Sequence, residues 1–278
     1  MSKIFNYPKF LNSLNESLNP NSHFIERIDY TLLKPEATEE QILELCQKAD
    51  ILGVKSVCVL PKMVKVAAEA LEDSSVLVCT VVSFPEGTNE PEEKLAECKQ
   101  VIADGADEVD MVLNYPLLKE KEALANHNDF HNTGWDYDSI SDELINEVTL
   151  LVDECHAHTN KDSDEIVLKV IVESGLLSKE ETAESTHICM EAGADFIKTS
   201  TGMVAIGAEL DKVQVMKDEI KFEGSDMKIK ASGGIKTMGD LQKFDPLVDR
   251  FGVGFTAVDS IFGNEEKSVE EKSVGDDY

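Results

Sequence analysis

Short runs of strand-forming apolar residues alternate along most of the chain with longer segments in which apolar residues recur at helical spacing. This alternation predicts parallel β-strands joined by helices, because a helix must carry the chain back before the next parallel strand can begin. Eight strands are predicted: Ile25–Leu33, Lys55–Leu60, Val76–Phe84, Glu108–Asn114, Ile166–Glu173, Phe196–Ser200, Lys228–Ala231 and Val248–Gly254.

Amphipathic segments fill most of the intervals between these strands. Two of them are followed by Gly-Ala-Asp, beginning at Gly105 and Gly193, where glycine can take the left-handed conformation that closes a helix. The predicted helices are Thr38–Leu52, Lys62–Glu72, Glu90–Asp104, Ser141–His158, Lys179–Ala192, Ala208–Ile220 and Thr237–Phe244.

Eight strand–helix units favour closure into a single (β/α)8 TIM barrel of the α/β class, which needs about 250 residues. An open doubly wound sheet is the alternative, but the dinucleotide-type glycine loop that would favour it does not follow the first strand. In a chain of 278 residues we expect an N-terminal extension over 1–24, the barrel over 25–263, and a mobile acidic tail over 264–278.

The segment Lys119–Ser141 is long for a connection between a strand and a helix. It follows the fourth strand, so we expect it at the mouth of the barrel, where barrel active sites lie. His127 and His131 stand four residues apart in it, but no third and fourth ligand follow at metal-binding spacing. We therefore predict no metal site.

The charge of the chain narrows its partners. Its 55 acidic and 26 basic residues give a net charge of −29, which repels nucleic acids and anionic membranes. No apolar run is long enough to span a membrane. Six cysteines without a C-x-x-C pair predict free thiols in a reducing compartment, so a cytoplasmic location is expected. An anionic substrate would need a locally positive pocket.

Lysines inside apolar strands are the strongest chemical signal. Lys169, Lys198 and Lys230 lie in three successive predicted strands, where their side chains cannot all reach water. Burial and a neighbouring cation lower the pKa of a lysine, and a neutral amine is the nucleophile that forms an imine with a carbonyl. Lys198 lies at the end of its strand, just before the polar turn Thr199–Gly202, and Lys230 lies at the matching end of the next strand. Lys198 is therefore the predicted nucleophile. Lys169 lies deeper in its strand and is interpreted as structural or supporting.

Proton transfer and phosphate binding have their own candidates. Asp110 lies inside the fourth strand, where a buried acid needs a partner such as a lysine. It is interpreted as a proton shuttle, with a structural ion pair as the alternative. Glycine-rich loops are predicted with the seventh and eighth strands, at Ala231–Lys236 and Phe251–Gly254. Many barrels bind phosphate at these two positions through backbone N–H groups.

From about Ile28 to Ser260 the sequence resembles the deoxyribose-phosphate aldolase family. The resemblance implies reversible aldol cleavage of 2-deoxyribose 5-phosphate to glyceraldehyde 3-phosphate and acetaldehyde, without a metal or an organic cofactor. The matching motifs are Asp29–Leu33, Val57–Pro61, Ser83–Gly87, Gly105–Asp110, Leu168–Gly175, Gly193–Gly202 and Lys230–Ile235.

The resemblance assigns roles to individual residues. Lys198 matches the Schiff-base lysine, Lys230 the second lysine that activates it, and Asp110 the proton-relay acid. Tyr278 resembles a terminal tyrosine that some members fold into the site. Positions that handle the sugar hydroxyl groups or relay protons through water are Asp29, Thr31, Cys58 and Thr201. Positions of the phosphate site are Gly202, Gly233, Gly234, Lys236 and Gly252, and Ser232 is a further predicted substrate-binding residue.

Departures from the family pattern fall at the phosphate end. Met203 replaces a usual lysine, Gly254 and Phe255 replace usual serines, and Lys236 stands where arginine is common. A reduced need for the phosphate is therefore expected. The alternatives are an aldolase acting mainly on non-phosphorylated aldehydes, a transaldolase-like imine enzyme, and a non-catalytic barrel that binds a small metabolite. The expected partners are small aldehydes and sugar phosphates, with a homodimer as the assembly.

Overall fold

The computed structural model describes residues 22–125 and 137–262. Most of the predicted N-terminal extension and the whole predicted acidic tail lie outside these residues, as do His127, His131 and Tyr278. Among the helices in the two described ranges, none combines the length and the apolar character needed to cross a bilayer.

A closed barrel of eight parallel strands forms the centre of the molecule, with the strands in sequence order. Pairing of β1 with β8, for example Asp29 opposite Gly252, closes the barrel. The predicted (β/α)8 fold is therefore confirmed. The strands are β1 Ile28–Leu32, β2 Ser56–Val59, β3 Leu77–Val82, β4 Glu108–Val112, β5 Val167–Ile171, β6 Phe196–Lys198, β7 Lys228–Ser232 and β8 Arg250–Gly254.

Helices surround this barrel and bury their apolar faces against the strands. Several begin with reciprocal caps; for example, the Ser178 side chain accepts from the Glu181 backbone while the Glu181 side chain accepts from the Ser178 backbone. The helices are α1 Ser22–Ile25, α2 Glu39–Leu52, α3 Val64–Ala70, α4 Pro91–Ala103, α5 Tyr115–Ala125, α6 Tyr137–His156, α7 Lys179–Glu191, α8 Leu210–Glu223, α9 Met238–Phe244 and α10 Phe255–Phe262. Short 3-10 turns occupy Pro61–Met63 and Ser174–Leu176.

Three helices differ from the prediction. Residues 22–25 form a helical turn, so β1 begins at Ile28 rather than Ile25. Helix α5 occupies the start of the predicted loop over 119–141, because Asn114 Oδ1 accepts from the Leu117 N–H and starts a helix there. Helix α10 follows β8 without a connecting turn. Helices α1 and α10 overlap or directly adjoin the apolar run of a neighbouring strand. The pattern of apolar residues therefore does not mark them as separate elements.

Aspartates at the N-terminal end of the barrel join its strands in pairs. Asp107, Asp195 and Asp249 each stand just before an even-numbered strand. Each carboxylate accepts a hydrogen bond from the backbone of the strand before it: Val78 at 2.8 Å, Leu168 at 2.8 Å and Ile229 at 2.9 Å. The last residue of each predicted Gly-Ala-Asp therefore ties two strands together, and Gly105 and Gly193 both have positive φ as expected.

Candidate active site

One carboxylate inside the barrel contacts three lysines. Asp110 Oδ2 lies 2.6 Å from Lys198 Nζ and 2.7 Å from Lys230 Nζ, and Asp110 Oδ1 lies 2.9 Å from Lys169 Nζ. All four side chains are nearly or completely buried. Sequence analysis predicted that a lysine would be the partner of Asp110, and the structure places Lys198 and Lys230 against the same oxygen. The structure adds Lys169, which was interpreted as structural or supporting, as a direct partner of the same acid.

Strand geometry brings these groups together. Side chains alternate between the two faces of a strand, so Glu108 and Asp110 both point into the barrel. In the parallel register Asp110 lies beside Lys169, and Lys198 lies beside Lys230. Because adjacent strands are about 5 Å apart, side chains as long as lysine can converge on one acid from three strands.

A second layer of ion pairs lies deeper in the barrel. Asp29 contacts Lys230 through Oδ2 and accepts through Oδ1 from Arg250 Nη1 at 2.6 Å. Glu108 accepts from Lys169 at 2.7 Å and from Arg250 Nη2 at 3.1 Å. This layer links two of the three partner lysines of Asp110, Lys169 and Lys230, to the floor of the barrel. Sequence analysis identified Asp29 in this layer but neither Glu108 nor Arg250.

The charges of this network are not equal in number. Lys169, Lys198, Lys230 and Arg250 supply four cations when protonated, against the three carboxylates of Asp29, Glu108 and Asp110. If one lysine is a neutral amine, three cations face three anions. Buried charges are strongly unfavourable unless they are paired, so the neutral form of one lysine is compatible with this interior.

The pKa values identify groups that stay charged. Burial alone would lower the pKa of Lys230, but the carboxylates of Asp110 and Asp29 outweigh it and raise the value. Burial would also lower the pKa of Lys169. The negative charges of Asp110, Glu108 and Asp29 outweigh this effect and hold the pKa of Lys169 well above its ordinary value. Burial would raise the pKa of Asp110, and the three lysines hold it well below the usual range. The lowering expected for buried lysines is therefore reversed at Lys169 and Lys230.

Lys198 has the fewest acidic partners of the three lysines. Its Nζ contacts one carboxylate, Asp110, whereas Lys230 and Lys169 each contact two within 3 Å. It also ends its strand and retains slight exposure, whereas Lys169 and Lys230 are completely buried. Of the three lysines, Lys198 therefore has the amine that is most open to an approaching carbonyl carbon.

Two thiols line the same space. Cys58 and Cys79 are register partners on β2 and β3, and Cys79 Sγ lies 3.2 Å from Asp110 Oδ1. The hydrogen bond with Cys79 lowers the pKa of Cys58, while burial raises the pKa of Cys79 well above its ordinary value. With Leu33 and Val81 these cysteines form a separate apolar cluster that makes one wall of the interior.

Donor atoms of the interior are close enough to hold a metal ion, in two groups within the described residues: Cys58, Cys79 and Asp110, and Asp29, Cys79 and Glu108. The carboxylates of both groups, however, already contact lysine or arginine nitrogens. A divalent cation would have to displace those cations from their partners, so this donor set suits the lysines better than a metal.

The backbones of three glycines meet in the segments that follow β6 and β7. A Cβ on Gly207 would lie 2.2 Å from the carbonyl oxygen of Gly233, and one on Gly233 would lie 3.6 Å from the Gly202 Cα. Gly202, Gly233 and Gly234 all have positive φ near 80°. This close approach leaves exposed backbone near the mouth, where the sequence predicted phosphate binding. Lys236 and Met203 are both exposed at this end.

The other predicted positions have different surroundings. Gly252 lies inside the barrel rather than with these glycines, and a Cβ there would meet Ser232 Cβ at 2.8 Å and Lys230 Cε at 3.4 Å. Phe255 stacks on Tyr30 at 5.5 Å between ring centroids, and the Tyr30 hydroxyl donates to its carbonyl. Gly254 is exposed. Thr31 Oγ1 donates to the Asp29 carbonyl at 2.9 Å.

Sequence analysis did not identify Glu173 as a functional residue, although it quoted the motif that contains it. Its carboxylate accepts from the backbone N–H and the hydroxyl of Thr201, three residues after Lys198. Glu108 and Arg250 could have been found from alternation, since each stands two residues from Asp110 or Gly252 on the same face. The contact of Glu173 depends on loop geometry and has no such signal.

A cavity of about 460 Å³ lies at the opposite end of the barrel from these lysines, near the residues that precede β3, β4 and β5. Its buried acid, Asp107, already accepts from the N–H groups of Val78 and Lys161. Lys161 Nζ donates to backbone carbonyls of Leu71 and Val76. Because barrel active sites lie at the other end, the lysine cluster rather than this cavity is the candidate site.

Known proteins resemble the chain over most of its length. The family described as "DeoC/LacD family aldolase" matches residues 24–245. The deoxyribose-phosphate aldolase of Staphylococcus carnosus is 40% identical over 219 residues, covering 79% of this chain and 86% of that protein. Deoxyribose-phosphate aldolase 1 of Staphylococcus aureus strain MRSA252 is 39% identical over 220 residues, covering 79% and 87%.

Solved structures give the same result. Deoxyribose phosphate aldolase from Aeropyrum pernix, described as having a unique tetrameric structure, superposes with a TM-score of 0.71 at 27% identity. The superposition covers 93% of this chain and 97% of that one. The family match over residues 24–245, the identity of about two residues in five and the shared barrel agree. This chain is a member of the DeoC/LacD family of aldolases.

Proposed function

We propose that this protein is a class I aldolase, a lyase that cleaves 2-deoxyribose 5-phosphate reversibly into glyceraldehyde 3-phosphate and acetaldehyde. The observation that carries the proposal is the contact of Lys198 Nζ and Lys230 Nζ with the same oxygen of Asp110, at 2.6 and 2.7 Å. The names of the Staphylococcus relatives support the substrate.

In the proposed reaction the neutral amine of Lys198 attacks the aldehyde carbon C1 of the open-chain sugar. Loss of water gives an imine, whose protonated form draws electrons from the bond between C2 and C3. The C3 hydroxyl loses its proton as that bond breaks, glyceraldehyde 3-phosphate leaves, and an enamine of acetaldehyde stays on Lys198. Protonation of the enamine at C2 and hydrolysis of the imine release acetaldehyde and restore the amine.

Lys230 and Asp110 serve the proton transfers of this scheme. Lys230 stays protonated because of its two carboxylate partners, and Asp110 stays ionised because of its three lysines. A carboxylate hydrogen-bonded to both amines can pass a proton from one to the other without a large movement. Asp110 therefore links the nucleophile to its neighbouring acid, and Lys169 holds the other oxygen of Asp110 in place.

The glycines after β6 and β7 form the proposed phosphate end. Gly202, Gly233 and Gly234 can direct backbone N–H groups toward an anion, with Lys236 close in sequence. Met203 supplies no charge, so we infer that binding of the phosphate is weaker than a lysine at this position would allow. Non-phosphorylated aldehydes are then better tolerated.

The setting of the reaction is also part of the proposal. Small aldehydes and sugar phosphates are the partners, without nucleic acid or membrane, and the protein acts in the cytoplasm. All six cysteines are buried free thiols, which fits a reducing compartment. A homodimer is the proposed assembly, and the tetrameric description of the Aeropyrum pernix relative is one reason to measure it.

Borohydride trapping tests this function directly. The enzyme is incubated with acetaldehyde, reduced with borohydride and digested, and the modified peptide is identified by mass. We expect the added two-carbon group on Lys198, its loss in Lys198→Ala, and retro-aldol turnover of 2-deoxyribose 5-phosphate by the unmodified enzyme. Label on Lys169 or Lys230 instead, or an unlabelled protein without turnover, would refute the proposal.

A further inference from the structure

Glu173 sits in a costly position beside the proposed nucleophile. It has φ 51° and ψ 51°, a left-handed conformation that a residue with a side chain adopts at an energetic cost. Its side chain is also almost completely buried, at 1% exposure, so its carboxylate has been removed from water. Two independent costs at one residue next to the site suggest that Glu173 is retained for function.

The two loops that meet at Glu173 are held tightly. The Ser174 N–H donates to the Thr199 carbonyl at 2.7 Å, which extends the pairing of β5 and β6 beyond their ends. Gly175 leaves no room for a side chain, because a Cβ there would lie 2.6 Å from the Ile206 carbonyl oxygen. The backbone of Glu173 is therefore fixed against the turn that follows Lys198.

The carboxylate of Glu173 fixes the direction in which the Thr201 hydroxyl donates its proton. Glu173 Oε2 accepts from the Thr201 N–H at 3.2 Å and from the Thr201 hydroxyl, and Thr201 Oγ1 accepts from the Met203 N–H at 3.1 Å. A hydroxyl has one proton to donate and two lone pairs. With its proton directed at Glu173, Thr201 can offer an approaching molecule only its remaining lone pair.

The other oxygen of Glu173 also has capacity for a donor. Oε1 is buried and has no hydrogen-bond partner among the residues that the structure describes. Buried carboxylate oxygens are usually satisfied, so a donor on a bound molecule or an ordered water completes this group. Glu173 and Thr201 together present hydrogen-bond acceptors at the turn that follows Lys198.

We propose that Glu173 is a positioning and specificity-determining residue of the aldol reaction: it holds the Thr201 hydroxyl as a pure acceptor, so that the site selects an acceptor aldehyde with a hydroxyl group on the carbon next to its carbonyl. This inference rests on the proposed aldolase function. An aldehyde without that hydroxyl leaves the buried acceptor unpaired, which disfavours it in the transition state.

The proposed selectivity for the hydroxyl group should depend on pH, because it requires the charged form of Glu173. Burial raises the pKa of Glu173, and this is offset in part by the hydrogen bonds from Thr201 and by the Lys198 amine. Burial and the negative charge of Glu173 also raise the pKa of the nearby Tyr115, to which Glu86 adds. Protonation of Glu173 weakens its hold on the Thr201 hydroxyl, so discrimination falls as the pH drops through the raised pKa.

The test compares two aldehydes as acceptors for acetaldehyde that differ only in this group: 2-hydroxypropanal, with the hydroxyl, and propanal, without it. Glu173→Ala removes the group that accepts the proton of the Thr201 hydroxyl, and Glu173→Gln keeps such a group without its charge. Glu180→Gln changes an exposed glutamate nearby on α7. We expect the kcat/KM ratio for the two aldehydes to fall about tenfold or more in Glu173→Ala. Glu173→Gln should lose less, and its ratio should no longer change with pH on the acidic side. Glu180→Gln should match the wild type.

Further measurements separate this role from support of the fold. Thr201→Val in the Glu173→Ala background should add little, because Glu173→Ala already ends the fixed orientation of the hydroxyl that Thr201→Val removes. Removing the buried charge should raise the Tm of Glu173→Gln at neutral pH while its discrimination falls, a combination that damage to the fold cannot produce. An unchanged ratio and pH profile in Glu173→Ala, with imine trapping intact, would overturn this inference alone. Failure of trapping in the wild type would instead overturn the proposed function.

Discussion

Lys198 Nζ and Asp110 Oδ2 lie 2.6 Å apart although their strands are not neighbours. Asp110 belongs to β4 and Lys198 to β6, and β5 runs between them. The contact therefore crosses the inside of the barrel, where Lys169 of β5 contacts the other oxygen of the same carboxylate. This arrangement makes Asp110 the junction of three strands as well as a proton carrier.

Replacing Asp110 by Asn should therefore affect both turnover and stability. We expect kcat to fall by roughly 10²-fold or more, as losses of proton transfer do. The three lysines would also lose their shared carboxylate, and breaking a buried ion pair by removing one partner costs about 3–5 kcal/mol. Steady-state kinetics and urea unfolding measure the two effects, with the exposed Asp142→Asn as control. Full turnover in a less stable Asp110→Asn protein would make Asp110 a structural partner only.

Gly252→Ala should displace the second lysine without removing any functional group. The new methyl would lie 2.8 Å from Ser232 Cβ and 3.4 Å from Lys230 Cε, so one of them must move. Misplacement by about 1 Å near the chemistry can lower turnover 10²-fold, and overpacking costs about 1–3 kcal/mol. Gly239→Ala is the control, because its methyl would meet nothing closer than 3.6 Å. Equal kcat in the two variants would mean that Lys230 tolerates the shift.

Met203→Lys should restore preference for the phosphorylated sugar. A charge-assisted hydrogen bond contributes about 1.5–3 kcal/mol, so the kcat/KM ratio of 2-deoxyribose 5-phosphate to 2-deoxyribose should rise roughly tenfold or more. Met203→Gln keeps a similar length without the charge and should leave the ratio nearly unchanged. A wild-type enzyme that already discriminates by several orders of magnitude, with no gain in the lysine variant, would contradict the weaker phosphate site.

Treatment with EDTA should leave activity unchanged. The imine already serves as the electron sink, and the carboxylates that could bind a metal contact lysine and arginine nitrogens. The assay is retro-aldol turnover after dialysis against the chelator, with the untreated enzyme alongside. Activity that is lost on dialysis and returns with one divalent ion would show that a metal takes part.

A buried ion pair outside the active site should behave as a unit. Lys94 Nζ contacts Glu147 Oε1 at 2.7 Å and donates to the carbonyls of Gly87 and Val112. Burial lowers the pKa of Lys94 and raises the pKa of Glu147, so it outweighs their mutual attraction. Lys94→Met should cost about 3–5 kcal/mol of unfolding free energy, and Lys94→Met with Glu147→Leu should cost less. Additive costs in urea unfolding would rule out this coupling.

The same pair predicts how stability responds to pH. Burial raises the pKa of Glu147 in the folded protein above its value in the unfolded chain. The free energy of unfolding therefore falls as the pH rises through this raised pKa, because burial disfavours the ionised carboxylate. Glu147→Gln cannot ionise, so the loss of stability between mildly acidic and neutral pH should be smaller in this variant than in the wild type. Thermal unfolding across that range measures the difference. Parallel curves for the two proteins would contradict the raised pKa of Glu147.

The eight strands could be predicted because each is a short β-rich run between helical segments. The lysines and Asp110 were recognisable for the same reason, since a charge inside an apolar strand is conspicuous. Alternation would have placed Glu108 and Arg250 inside the barrel, but their pairing with each other depends on which strands meet across the closed barrel. A sequence gives the order of strands, but contacts through the interior follow from closure and register.

The loops were less predictable than the strands. Nothing in the sequence marks Glu173 as left-handed, since that conformation is imposed by the contacts of two loops. Gly252 was grouped with the phosphate glycines because it follows the same kind of motif, whereas its missing side chain makes room for Lys230. The prediction for Tyr278 lies outside the described residues and remains a prediction.

Asp107, Asp195 and Asp249 join strands at the end of the barrel that faces away from the lysines. Each of the three joins an odd strand to the even strand after it, so β3–β4, β5–β6 and β7–β8 are fastened as couples. The lysines and Asp110 instead join different couples, because Asp110 belongs to one, Lys169 and Lys198 to the next, and Lys230 to the last. Fragments of the barrel that contain whole couples would therefore keep the aspartate hydrogen bonds within each couple. The contacts of Asp110 with the three lysines would form only after the couples that carry them had associated.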